Sequence, residues 1–97
     1  MLILKVVAMG PIHGYAISKR IAQISKDVLR IQQGSLYPAL HRLENRKWLA
    51  ADWREANSGR EAKFYTLTAA GKKQLEGEEL DWERLSTAIG LVLRTVQ

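Results

Sequence analysis

Between Gln32 and Leu49 the chain reads QQGSLYPALHRLENRKWL, the pattern of one short helix with two opposed faces. Leu36, Ala39, Leu40 and Leu43 recur at helical spacing and form an apolar stripe that must be buried. Ser35, Tyr37, His41, Arg42, Asn45 and Arg46 fall largely on the other side. Side chains of these types donate to phosphates or reach base edges. Gly34 and Ser35 supply a turn and a candidate N-cap. Pro38 fits a first turn, whose amides have no intrahelical acceptor to lose. Such a helix, running from about Ser35 to Lys47 just before a glycine-tipped hairpin, points to a small helix-and-hairpin domain. Its free face is a candidate DNA-reading element.

The hairpin is written in LAADWREANSGREAKFYTLT. Leu49, Ala51 and Trp53 alternate with Ala50, Asp52 and Arg54, and residues 64–67 give the matching return strand. Asn57, Ser58 and Gly59 between them are turn chemistry, because Asn and Gly tolerate positive φ. A lone hairpin is marginally stable, so it must pack on helices. Trp48, Trp53 and Phe64 are the expected anchors.

Upstream, residues 2–9 (LILKVVAM) are almost wholly apolar and are read as a short helix ended by Gly10 and Pro11. Its abrupt start leaves open whether natural residues precede it. Residues 14–25 put Ile17, Ile21 and Ile24 on one helical stripe. Residues 26–33, with Val28, Leu29 and Ile31, allow a very short strand. Downstream, Thr68 is a plausible N-cap for a last helix from about Ala69 to Val96. Leu75, Trp82, Ile89 and Val96 recur every seven residues, with Leu85 and Val92 between and Glu78 as the misfit. A small domain cannot cover so long a stripe, so much of it is expected to meet a second copy of the chain. Leu2 is expected to join that interface.

Length and charge narrow the function. Ninety-seven residues make one core of limited size, which oligomerisation would enlarge. There is no cysteine, which excludes disulfides and thiolate metal sites. No apolar run approaches the roughly 20 residues of a membrane span, and the opening lacks signal-peptide features. A cytoplasmic protein is expected. The net charge of +5 is unevenly placed. Residues 1–48 carry eight Lys and Arg against two acids, whereas residues 68–97 carry four against five. The positive field belongs to the half that holds the candidate reading helix, which points to a polyanionic partner. A basic soluble surface is the plainer alternative. No paired-carboxylate, Ser–His–Asp, HExxH or phosphate-loop pattern is present, so neither an enzyme nor a metal or other cofactor is expected.

Three phrases then carry a resemblance. His13-Gly14-Tyr15 opens the second helix, Gln33-Gly34-Ser35-Leu36-Tyr37-Pro38-Ala39-Leu40 with Leu43-Glu44 forms the third, and Tyr65 through Leu67-Thr68 to Gly71 leads into the last. In this order and spacing the chain resembles the PadR family of bacterial transcriptional regulators over nearly its whole length. The resemblance implies a mainly α (α+β) fold. It would be a winged helix–turn–helix DNA-binding domain over residues 1–67 with a long C-terminal dimerisation helix over 68–97. It also implies a homodimer whose operator binding usually represses transcription. The single C-terminal helix looks like the short branch of that family.

The expected DNA-binding residues are Gln33, Ser35, Tyr37, His41 and Arg42 on the reading helix, and Asn57, Ser58, Gly59, Arg60 and Lys63 on the wing. Each has a plainer alternative: Ser35 as a cap, Tyr37 as packing, the others as a solvated face. His13 and Tyr15 begin a helix whose free amides can face a phosphate, though such residues more often pack or cap. The expected dimer interface is Leu2, Leu75, Trp82, Leu85, Ile89, Val92 and Val96. Trp82 is either interface packing or the wall of a site for a small aromatic effector. The whole reads as a sequence-specific transcriptional regulator that binds duplex DNA. It is expected to act as a repressor on a palindromic operator, with release by such an effector as an option and packing as the preferred role of Trp82. The rival is a winged-helix protein-docking module without DNA.

Overall fold

The structure is a computed structural model that describes residues 1–95, so Val96 lies outside the described residues. Among these the element order is α1 (Leu2–Ala8), β1 (Ile12–His13), α2 (Gly14–Ile24), α3 (Gln33–Asn45), β2 (Leu49–Glu55), β3 (Glu61–Leu67) and α4 (Ala69–Leu93). The fold is mixed α+β, with helices packed on a small antiparallel sheet of order β1-β3-β2. Leu4 and Val7 of α1, Ile17 of α2, Leu36 and Leu40 of α3, and Leu49 of β2 are sealed at its centre. Tyr65 of β3 and Leu75 of α4 close that core.

The strand allowed near residues 26–33 is absent, and one forms earlier instead. β1 pairs Ile12 with Tyr65 and His13 with Phe64, filling the edge of β3 that β2 leaves free. Residues 26 and 27 cannot be extended, because both adopt left-handed backbone (φ 53° and 66°). The Ser25 hydroxyl accepts from the Leu29 amide (3.0 Å) and holds that turn closed. Ile24, expected on the buried stripe of α2, is exposed, since the helix ends there and runs past the core.

Helix α3 starts two residues before the expected Ser35. Gln32 is its extended N-cap and makes no side-chain capping bond. Ser35 is therefore no cap, and Pro38 lies inside the helix, where its missing amide leaves the Gly34 carbonyl without its usual partner. The helix also stops two residues early. Lys47 is left-handed (φ 63°), its amide donates to the Glu44 carbonyl (2.9 Å), and the Trp48 amide donates to the Leu43 carbonyl (3.1 Å). This double bond is a Schellman ending with lysine where glycine is usual.

In the hairpin, Leu49 faces Leu67, Ala51 faces Tyr65 and Trp53 faces Lys63. Trp48 is half-buried against the core, but Trp53 is not an anchor: it is 67 % exposed. Its strand outruns the helices, so the face that is buried at Leu49 is open by Trp53. The anchors are Leu49, Tyr65 and Leu67, while Phe64 sits on the opposite face and meets the His13 ring edge-on (5.5 Å).

The Thr68 hydroxyl caps α4, accepting from the Gly71 amide (2.9 Å) and donating to the Lys47 carbonyl (2.7 Å). Gly71 and Leu75 are buried, so the first two turns of α4 belong to the protomer's own core. Leu75 is consequently closed to a partner, contrary to its place in the expected interface. Beyond it α4 projects; at 25 residues it is about 37 Å long. Trp82, Leu85, Ile89 and Val92 of the seven-residue pattern are exposed along it, as are Leu80, Leu91 and Leu93.

Candidate nucleic-acid interface

The buried stripe of α3 fixes which way its other face looks. With Leu36 and Leu40 sealed, Ser35, Tyr37, His41, Arg42, Asn45 and Arg46 are all exposed. Arg42 forms no ion pair among the described residues, and Arg46 lies over the Trp48 ring (5.1 Å).

Two contacts seat α3 against α2. The Gln33 side-chain amide donates to the Ser18 hydroxyl (2.7 Å), and that hydroxyl lies 3.3 Å from the Tyr15 carbonyl, to which it donates. Gln33 is thus tied inside the protein, although a DNA contact was expected of it; its remaining amide oxygen is buried and unpaired among the described residues. The second contact is between Gly14 and Tyr37. A Cβ on Gly14 would lie 2.9 Å from Cε1 of the Tyr37 ring, so glycine there leaves room for the ring against the start of α2. His13 acts as a cap, its Nδ1 accepting from the Ala16 amide (3.3 Å). Tyr15 packs beneath the Lys19 ammonium (4.4 Å).

The wing tip is Ala56–Arg60. The Ala56 amide donates to the Arg60 carbonyl (2.7 Å) and the Gly59 amide to the Ala56 carbonyl (2.9 Å). Gly59 has φ 82°, a conformation glycine adopts without strain. Asn57, Ser58, Gly59 and Arg60 are all exposed there. Lys63 is not part of the tip. It sits on β3 and its ammonium donates to the Glu44 carboxylate of α3 (2.9 Å), with the Tyr65 ring 5.5 Å away. The hydrogen bond to Glu44 holds Lys63 above the ordinary lysine range, against the opposing effect of burial. A raised lysine pKa favours the folded state below lysine's own titration range and loses that contribution only as pH rises through it. The tie between wing and reading helix therefore holds at neutral pH, and it takes Lys63 away from phosphates. Burial pushes the neighbouring Tyr65 phenol up.

Between α3 and the wing lies a cleft of about 480 Å³. Tyr37 and His41 form one wall, Trp53 the other, and Tyr65 with the Glu44–Lys63 pair the floor. Neither Glu44 nor Trp53 was singled out from the sequence for this role. Glu44 carried one signal, as a lone acid on a basic helix one turn beyond His41. Trp53 carried another, as a tryptophan near the end of a strand whose neighbouring helices are short.

The arrangement of helix, reading helix and wing agrees with the family comparison. A model of the transcriptional regulator PadR-like family matches residues 3–77. The chain belongs to the PadR-like family of transcriptional regulators. The PadR-like fold is matched by the crystal structure of a PadR-like transcriptional regulator from Bacillus cereus. The TM-score is 0.85 at 26% identity, over 97% of this chain and 89% of that one. The chain is also similar to a transcriptional regulator of Mycobacterium tuberculosis, 31% identical over 87 residues, which are 90% of this chain and 78% of that protein. A third relative is an uncharacterized 37.1 kDa protein in a transposon of Streptomyces fradiae. It is 46% identical over 86 residues, covering 89% of this chain but only 23% of the relative's length. PadR-like membership carries DNA-binding regulation of transcription, and the family is one of regulators, not enzymes. Among the described residues no helix is long and apolar enough to cross a membrane.

Proposed function

We propose that two copies of this chain, joined along α4, bind a palindromic operator in the cytoplasm and repress transcription. Residues 1–67 would read DNA, and the part of residues 68–97 beyond Leu75 would form the dimer seam. The observation that carries the reading is the exposed outer face of α3, where His41 and Arg42 stand clear and Tyr37, seated against Gly14, is half exposed, while the opposite stripe is sealed. Each α3 would enter a major groove, with half-sites about one helical turn (roughly 34 Å) apart. Ser35 would meet the backbone, and Asn57, Ser58, Gly59 and Arg60 would follow the flanking strand. Gln33 and Lys63 are assigned to holding α3 in place, by their bonds to Ser18 and Glu44.

The test is a gel-shift salt titration with genomic fragments that the purified protein selects. Log affinity is expected to fall linearly with log salt, because phosphate contacts release counterions. Absence of binding even at low salt would favour a protein-docking module instead.

The seam is proposed to comprise Trp82, Leu85, Ile89 and Val92, with Leu2 beside it. Leu2 rims an apolar hollow of about 110 Å³ shared with Met9, Ile24 and Leu29. Trp82→Asp combined with Ile89→Asp is expected to give a folded monomer by sedimentation, because two charges would face apolar partners. A variant that sediments as a dimer would show that the seam lies elsewhere. Trp82 also offers a flat wall for a small aromatic effector, which would act by favouring one separation of the two reading helices over another.

A further inference from the structure

The cleft between α3 and the wing has one wall that the proposed phosphate contacts leave unexplained. Trp53 exposes 67 % of its surface on the same sheet face that carries the core anchors. A tryptophan has a large apolar payload, and leaving it in water forgoes the gain of covering it. Opposite it stand Tyr37 and His41, both on the outer face of α3. The floor carries no free charge, because Lys63 and Glu44 neutralise each other at 2.9 Å. Where Trp53 faces α3 the cleft is therefore aromatic and free of unpaired charge, and the first turn of α2, at His13, Gly14 and Tyr15, lines it as well.

We propose that this cleft receives one sugar of the DNA backbone, with the Trp53 indole packed on the deoxyribose. The inference rests on the reading of α3 and the wing as DNA contacts. If α3 lies in one groove and the wing tip in the next, the strand dividing those grooves must cross the gap between them. A phosphate beside Trp53 would find no free cation, because Lys63, its cross-strand neighbour, is held by Glu44; the start of α2 is the part of the lining suited to a phosphate. The apolar face of a deoxyribose matches an indole, and it presents that face whatever the base. Trp53 thus contributes affinity and sets the depth at which the strand sits, without reading sequence.

Counterion release separates this role from a phosphate contact. An indole neutralises no phosphate, so its removal must leave the salt slope unchanged. Trp53→Ala is expected to bind the selected fragment about tenfold more weakly at every salt concentration, with a parallel slope. Wild-type affinity in that variant, or a loss accompanied by a flatter slope, overturns the proposal while leaving DNA binding by the protein intact. Failure of the unaltered protein to bind any fragment overturns the DNA reading itself, and this inference with it. A second measurement does not depend on the alanine variant folding. In Trp48→Phe, Trp82→Phe protein Trp53 is the sole indole. Its emission is expected to change on addition of the fragment, and an unchanged spectrum overturns the contact.

Discussion

Gly71→Ala is expected to destabilise the protein by about 3 kcal/mol or more, enough to remove much of the stability of a domain this small. A Cβ at this position would be built into the Trp48 carbonyl oxygen, with Leu67 Cδ1 also only 2.8 Å away. The oxygen is backbone and cannot turn away. It accepts the Thr68 amide (3.1 Å), and its residue follows the left-handed Lys47 that ends α3. Helix propensity alone gives the opposite sign, since alanine is better than glycine in a helix by about 1 kcal/mol. Gly77 supplies the control: it lies in the same helix with nothing within 4 Å of its Cβ position. Gly77→Ala is expected to be neutral or to stabilise by up to about 1 kcal/mol. Urea unfolding of the two variants checks both signs. If Gly71→Ala matches the unaltered protein, α4 does not sit against Trp48 as described.

Tyr37→Ala with Arg42→Ala is expected to weaken specific DNA binding by roughly a hundredfold or more while the fold persists. Each lost contact of this kind costs about 1–3 kcal/mol. Arg42 is exposed and Tyr37 is 48 % exposed, so neither is a core residue. The pattern of loss assigns Arg42 its role. A loss confined to the preferred fragment means that the guanidinium reads a base edge. A uniform loss with a salt slope reduced by about one means that it meets a phosphate. Unchanged affinity in the double variant would move the contact surface off α3. Circular dichroism of the same samples separates lost contact from lost structure.

The parts of the fold that were legible in the sequence are those whose signal is local. The stripe of Leu36, Leu40 and Leu43 needs only helical spacing, Gly59 only a turn requirement, and Thr68 only the chemistry of a cap. β1 was not legible, because two residues show no alternation; Ile12 and His13 are a strand only because β3 has an edge to offer. Alternation put Trp53 on the correct face but could not say how far along the strand the helices reach. The seven-residue count likewise matched Leu75 but could not say where α4 leaves the core. In the candidate site, the exposed residues of α3 and the wing tip were legible from periodicity and turn chemistry. The internal ties of Gln33 and Lys63 were not, since they join residues 15 and 19 positions apart. Both side chains look free in a one-dimensional reading, and both are occupied once α2, α3 and β3 come together.

The junction of Lys47, Trp48 and Thr68 has a mechanical consequence. The carbonyl of Lys47 takes the Thr68 hydroxyl and that of Trp48 takes the Thr68 amide, so the end of α3 and the start of α4 share one short knot of backbone. A displacement of the start of α4 is therefore passed through Thr68 to the end of the reading helix.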